Sequence, residues 1–294
     1  MKILLSLFLL LTPVLGQEPM IDEKTAESIA NIAEKLFGKN GGNRLFYFPT
    51  KTAPDTPKTH GQAYEDVSFK SQDGTKLHGW FMNPAKGVKV KGTIVYSHGN
   101  AGSVGYHLPF VLWMIENGYQ VLLYDYRGFG KSEGTIERKG LVEDVHAAFD
   151  YVKTRKDVDA KRLISFGHSL GGAKSLAALG QKMIPGVRGV VSFAGFASYQ
   201  DMARHFAGDM GVKLVSDDLS ARDLVEKIAP IPVLIIHGTA DGTVPFSQGE
   251  LLFKKAKEPK TFFKIKEGNH AQALSMNNQE YRKKILEWLA KVLA

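Results

Sequence analysis

From Glu65 onward, short β-rich apolar runs alternate with stretches whose apolar residues recur at helical spacing, a pattern that few architectures accept. The β-rich runs are 67–70, 77–82, 93–97, 120–124, 163–166, 189–193, 233–237 and 261–265, and helical patterns fall at 104–117, 141–153, 173–182, 247–257 and 279–293. Nothing helical separates the first two runs, which flank the turn dipeptide Asp73-Gly74 and so read as an antiparallel hairpin. Later runs such as Thr93-Ile94-Val95-Tyr96 and Val233-Leu234-Ile235-Ile236 are apolar on both faces, as buried parallel strands must be. The expected fold class is α/β: a mostly parallel eight-stranded sheet with helices on both faces. About 40 residues separate Phe193 from Val233, more than a simple crossover needs, so a small insertion is expected before the seventh strand. Its Tyr199, Met202, His205, Phe206 and Met210 suit either a small lid over an apolar pocket, within 195–230, or extra helices packed on the sheet edge.

Composition removes several classes of function. The 294 residues include no cysteine, which excludes disulfide scaffolds, thiolate metal sites and a cysteine nucleophile. The formal charge of +8 invites a search for a nucleic-acid or anionic-membrane surface. The basic residues are dispersed, however, and even the dense stretch 254–266 is interrupted by Glu258, so no nucleic-acid partner is expected. Residues 1–16 read as a secretory signal: Lys2, then an apolar core at 3–11, then Val14 and Gly16 at the small-residue positions of a cut before Gln17. The expected location is therefore secreted or periplasmic, the alternative being an N-terminal membrane anchor. An N-terminal helix (21–37) and a Pro/Thr/Lys-rich linker (49–59) make up 17–60, leaving 61–294 as the main domain.

Gly-x-Ser-x-Gly occurs twice, and at this composition about 0.15 matches arise by chance, so context must decide. A nucleophile on a sharp strand-to-helix turn needs a strand ending just before it, a helix starting just after, and small neighbours throughout. Gly167-His168-Ser169-Leu170-Gly171-Gly172 meets each demand, whereas Gly130-Lys131-Ser132-Glu133-Gly134 lies in a polar loop. Ser169 is the candidate nucleophile, and Ser132 reads as a turn residue. A serine hydroxyl needs a base, and the base needs an orienting acid. Asp241 and His270 follow the last two expected strands, whose carboxyl ends open on the same edge as Ser169. The order Ser, Asp, His is the one this architecture uses. His168 reads as a neighbour that shapes the turn and points elsewhere, and His237 as a packed or hydrogen-bonding histidine. Asp201, Asp209, Asp217 and Asp218 read as caps and surface charge. The glycine-rich turn His98-Gly99-Asn100-Ala101-Gly102-Ser103 follows another strand, and the backbone amides of Asn100 and Leu170 are the candidate oxyanion donors.

Four blocks together resemble the α/β-hydrolase superfamily, and within it the Bem46-like branch of serine hydrolases. They are 98–103, Tyr124-Asp125-Tyr126-Arg127-Gly128-Phe129-Gly130-Lys131-Ser132, 167–172 and His237-Gly238-Thr239-Ala240-Asp241. The resemblance spans about 65–293 and implies a nucleophile, acid and base at Ser169, Asp241 and His270, with the oxyanion loop at Asn100 and Leu170. One departure is Gly242-Thr243, where relatives carry a larger acidic and apolar pair. The expected activity is cleavage of carboxylic esters, including thioesters, through an acyl-enzyme and without metal or organic cofactor. The substrate is small or lipid-like, and peripheral membrane association stays open. A serine peptidase or amidase of related fold is the alternative. A non-catalytic binding protein on this fold would be expected to have lost a member of the triad, and none is missing.

Overall fold

A computed structural model describes residues 41–271 and 279–294. The expected leader (1–16) and first helix (21–37) lie outside the described residues. The chain divides into two compact units: Tyr47–Ala197 with Leu219–Ala294, and Ser198–Asp218 with the chain up to Phe46.

The larger unit is built on an eight-stranded sheet. Its strands are β1 (Tyr64–Lys70), β2 (Lys76–Met82), β3 (Gly92–Ser97), β4 (Tyr119–Asp125), β5 (Leu163–His168), β6 (Val187–Phe193), β7 (Val233–Gly238) and β8 (Lys260–Ile265). Their order across the sheet is β8-β7-β6-β5-β3-β4-β2-β1. β1 with β2 and β2 with β4 pair antiparallel, and every other pair is parallel. Hydropathy explains the positions. β3, β4, β5 and β7 are buried at every residue, while β1 buries only Val67 and Phe69 and sits at the edge. The 71–75 turn closes the hairpin as expected, with the Ser71 amide donating to Thr75 O at 2.8 Å.

The helices are α1 (Arg138–Thr154), α2 (Leu170–Gln181), α3 (Tyr199–Leu214), α4 (Phe246–Lys255) and α5 (Gln279–Val292). The helix expected over 104–117 is instead broken into Val104–His107, a tighter turn Leu108–Phe110, and Leu112–Glu116. Pro109 is the cause, since it has no amide hydrogen and its ring clashes with the preceding turn. The 49–59 segment is laid along the glycine-rich loop rather than free. Phe48–Pro49 pairs parallel with Ala101–Gly102, and Ser103 Oγ donates to Thr52 O at 2.8 Å. No helix among the described residues is long and apolar enough to cross a membrane.

The 40-residue interval divides between the units. In the smaller unit lies α3, broken at Ala207 and Gly208, and in the larger the short turns Ala221–Asp223 and Val225–Ile228. Within the smaller unit Ser198 caps α3 by accepting from the Asp201 amide at 3.0 Å, and it donates to Asp217. Asn43 Nδ2 donates to Ser216 Oγ at 3.0 Å, and Asp209 pairs with Arg204.

The strand order fixes where chemistry can occur. The chain steps from β3 outward to β4 on one side and to β5 on the other, so the loops leaving β3 and β5 part in opposite directions at adjacent positions. That divergence opens a crevice at the carboxyl ends of the two strands, where the segments beginning at His98 and Ser169 emerge side by side.

Candidate active site

β5 runs straight into α2 through Ser169, whose backbone sits at φ 54° and ψ −118°. A non-glycine residue pays about 1–3 kcal/mol for such a conformation, so the surroundings must enforce it. They do so by lack of room. A β-carbon on Gly167 would lie 2.2 Å from Gly171 O, and one on Gly171 would lie 1.9 Å from Ser97 O. The Ser169 amide is also tied to Phe193 O at 2.8 Å, which anchors the turn to β6. The result lifts the Ser169 side chain above the strand ends, with the Leu170 amide at the unpaired N-terminal turn of a twelve-residue helix.

The other serine motif does something different. Ser132 is buried, donates to Asp125 O at 2.6 Å and accepts from the His78 amide at 2.9 Å. Its hydroxyl staples the loop after β4 to β2, as a turn residue would.

Asp241 follows β7, with its carboxylate fully buried. Oδ1 accepts from the amides of Thr243 and Val244, both at 2.9 Å, so the Gly242-Thr243 variation forms a tight turn around the carboxylate. Oδ2 accepts from His270 Nδ1 at 2.8 Å, and His237 Nε2 lies 3.3 Å from the same atom. Burial alone would raise the Asp241 pKa, but the hydrogen bonds from His237 and His270 outweigh it and hold the group far below the usual carboxylate range. His270 arrives from β8, three strands away from β5, or about 14 Å at the usual strand spacing. The loop covers this distance by folding back over β7: the Thr239 amide donates to Ile265 O and the Ala240 amide to Gly268 O. With Nδ1–H given to Asp241, Nε2 is the ring atom left to accept a proton.

The loop after β3 abuts the candidate nucleophile. A β-carbon on Gly99 would sit 3.8 Å from Ser169 Cβ. His98 Nδ1 donates to Gly99 O at 2.7 Å. Because the peptide is planar and trans, this turns the Asn100 N–H away from the His98 ring. The Asn100 carbonyl accepts from the Phe48 amide at 2.8 Å, and His107 Nε2 donates to Ala101 O at 3.0 Å, so consecutive carbonyls of the loop are tied back. Buried Asp125, at the end of β4, accepts from the Val104 amide at 2.9 Å and fixes the far end.

Ser169, Asn100 and Leu170 therefore gather at the β3–β5 crevice, and Asp241 and His270 form a hydrogen-bonded pair reaching towards it. His237 is the hydrogen-bonding histidine the sequence allowed, donating from Nε2 to Val244 O at 2.9 Å, and what sequence reasoning did not show is that the same atom lies 3.3 Å from Asp241. A histidine ending a strand four residues before an acid, across a Gly-Thr-Ala turn, carried that signal. His168 does not point elsewhere: its ring centroid lies 5.1 Å from that of His270. Asp201, Asp209, Asp217 and Asp218 belong to the smaller unit and not to this site.

Comparison with known proteins identifies the family and the fold. Residues 88–215 match the serine aminopeptidase S33 family. The chain is 38% identical to YfhR of Escherichia coli (strain K12), over 85% of this chain and 87% of that one. It is 31% identical to the alpha/beta hydrolase domain-containing protein WAV2 of Arabidopsis thaliana, covering 84% and 87% respectively. Among solved structures, the Pyrococcus furiosus esterase Pf2001 superposes with a TM-score of 0.72 at 18% identity, covering 85% of this chain and 99% of that one. The chain belongs to the α/β-hydrolase family and is a hydrolase of the fold its sequence blocks implied.

Proposed function

We propose that the protein is a serine hydrolase that cleaves carboxylic esters, thioesters included, of small or lipid-like acyl substrates. The observation that carries this reading is the His270–Asp241 pair at 2.8 Å, with Nε2 of the base free, on the sheet edge that presents Ser169 on its strained turn. Ser169 Oγ attacks the acyl carbon while His270 Nε2 takes its proton, and the new C–O bond produces a tetrahedral oxyanion. The Asn100 and Leu170 amides stabilise that charge. Collapse breaks the bond to the leaving alcohol, which receives the proton from His270. Water then enters by the same route: His270 removes its proton as the water oxygen bonds to the acyl carbon, the acyl–Ser169 bond breaks to release the carboxylic acid, and the proton returns to Ser169. Asp241 holds the Nδ1–H tautomer throughout and stabilises the transient imidazolium. Residues 1–16, read as a secretory signal, support work outside the cytoplasm.

The S33 match supports a second reading, hydrolysis of amide bonds at a peptide terminus by the same residues. A chain-length series of p-nitrophenyl esters beside a panel of aminoacyl amides and thioesters separates the two. Ester turnover is expected to exceed amide turnover, and the reverse ranking would transfer the assignment to the peptidase. Ser169→Ala is expected to abolish both turnover and labelling by a fluorophosphonate, leaving a residual activity several orders of magnitude lower. Ser132→Ala is expected to retain turnover. Equal losses in the two variants would refute the assignment of the nucleophile.

A further inference from the structure

His168 occupies the last position of β5, directly before Ser169, yet its side chain belongs to the base. Its ring is 5.1 Å from His270, 4.9 Å from Phe193 and 5.1 Å from Phe110, between centroids. It is 5% exposed, and neither ring nitrogen has a hydrogen-bond partner among the described residues. Burial, with a smaller contribution from His270, lowers its pKa to about 3, so the ring is neutral wherever a serine hydrolase works.

A phenylalanine would fill this aromatic pocket without stranding two polar atoms. An imidazole that is buried, neutral and unpaired in the resting enzyme is costly, and the cost is recovered only if a partner arrives. A candidate lies beside it. The His168 and His270 rings pack with centroids 5.1 Å apart, no hydrogen bond joins them, and the His270 backbone opposes the fall in the His168 pKa. Catalytic hydrogen bonds that are long in an empty site tighten when substrate binds.

We propose that His168 is a positioning residue for the base: as the substrate seats, a ring N–H of His168 closes onto the backbone carbonyl of His270 and pins the 267–271 loop. One residue of the chain would then hold the nucleophile while its neighbour holds the base, so the two reacting groups share a single rigid support on β5. The inference rests on His270 being the base of the proposed ester hydrolysis.

The test compares the full chain with His168→Phe, His168→Asn and His168→Gln, reading kcat and KM on a short p-nitrophenyl ester, the rate of fluorophosphonate labelling, and the melting temperature. His168→Phe is expected to fold with an unchanged or higher melting temperature, because it removes the unpaired nitrogens. Its kcat should nevertheless fall about tenfold with KM within twofold, equivalent to about 1.4 kcal/mol of barrier. At least one of the amide variants, whose nitrogens mimic Nδ1 and Nε2 respectively, should recover part of the loss. A purely packing role predicts the opposite, and full kcat in His168→Phe overturns the proposal. If that variant does not fold, the wild-type phosphonate adduct decides by NMR. A downfield shift of the His168 ring N–H on adduct formation supports the contact, and an unmoved resonance overturns it. A wild type that neither turns over esters nor takes the label at Ser169 overturns the ester reading itself, and this inference with it.

Discussion

Lowering the pH from 7 to 5 protonates almost every histidine of the unfolded chain, whereas the folded chain resists at specific places. His98, His107 and His168 are buried, with ring centroids 4.9 Å apart for the first pair and 6.2 Å for the second. Burial lowers all three pKa values; His107 is pushed well below the ordinary value, partly by its two imidazole neighbours, and His168 to about 3. A group whose folded pKa is depressed contributes stability that is present above its unfolded pKa, here about 6.5, and is lost as the pH falls towards the folded value. For a histidine that stays neutral in the native state, the loss between pH 7 and 5 is about 1.9 kcal/mol. His168 alone therefore removes about 1.9 kcal/mol, and His107 and His98, whose pKa values burial also lowers, add to this. Against the 5–15 kcal/mol typical of a domain, that is a sizeable share.

The assay is urea unfolding followed by tryptophan fluorescence at half-unit steps of pH. The free energy of unfolding is expected to fall by more than about 1.9 kcal/mol over this interval. Asp241 does not interfere, because its depressed pKa gives up stability only below about pH 4, as the pH falls beneath the unfolded carboxylate value. Asp144 works in the opposite sense, since burial raises its pKa against the pull of Arg127. The decisive quantity is therefore the difference between wild type and His168→Phe, in which one titrating histidine is gone. The variant should lose about 1.9 kcal/mol less than wild type between pH 7 and 5. Parallel curves for the two proteins would refute the idea that His168 is held neutral by burial.

Three further outcomes follow from the geometry. Asp241→Asn should lower kcat by about four orders of magnitude with little change in ester KM, because the amide favours the wrong His270 tautomer; steady-state kinetics measures it. His237→Phe removes one of the two imidazoles at the Asp241 carboxylate and leaves more of its charge to stabilise the imidazolium of the contacting His270, so the acid limb of the kcat/KM profile should move to higher pH, read from rates between pH 4 and 8. Arg127→Met should destabilise by about 3–5 kcal/mol in urea unfolding, since it leaves the fully buried Asp144 carboxylate, now 2.9 Å from Arg127 Nη2, without its cation.

Periodicity disclosed the sheet because all eight strands carry their burial in their own side chains. The fully apolar stretch 233–236 could only lie between two neighbours, and the mixed stretch at 64–70 only at an edge. The Ser169 turn was legible for a similarly local reason: the small residues that make it tight adjoin it in the chain. What could not be read depended on approach between distant segments. Arg127 meets Asp144 from α1 and Asp73 from the hairpin turn, and nothing in the local pattern of any of the three announces the cluster. The orientation of His168 was hidden in the same way, because a strand-end residue can turn towards either loop and only the folded-back path of 266–270 decides. The break at Pro109 was legible in principle, and apolar spacing on both sides obscured it.

Several costs of this fold fall on one edge of the sheet. Ser169 holds a left-handed backbone there, and His98 Nε2, His107 Nδ1, His168 and His237 Nδ1 are buried polar atoms with no hydrogen-bond partner among the described residues. At the opposite, amino-terminal ends of β3 and β4, Thr93 Oγ1 donates to Gln120 Oε1 at 2.7 Å and Gln120 Nε2 donates to Asn83 Oδ1 at 2.8 Å. A chain selected only for stability would have no reason to treat its two sheet edges so differently. The asymmetry is what preorganisation for a charged transition state requires, because donors and bases must be aimed at atoms that arrive only with the substrate.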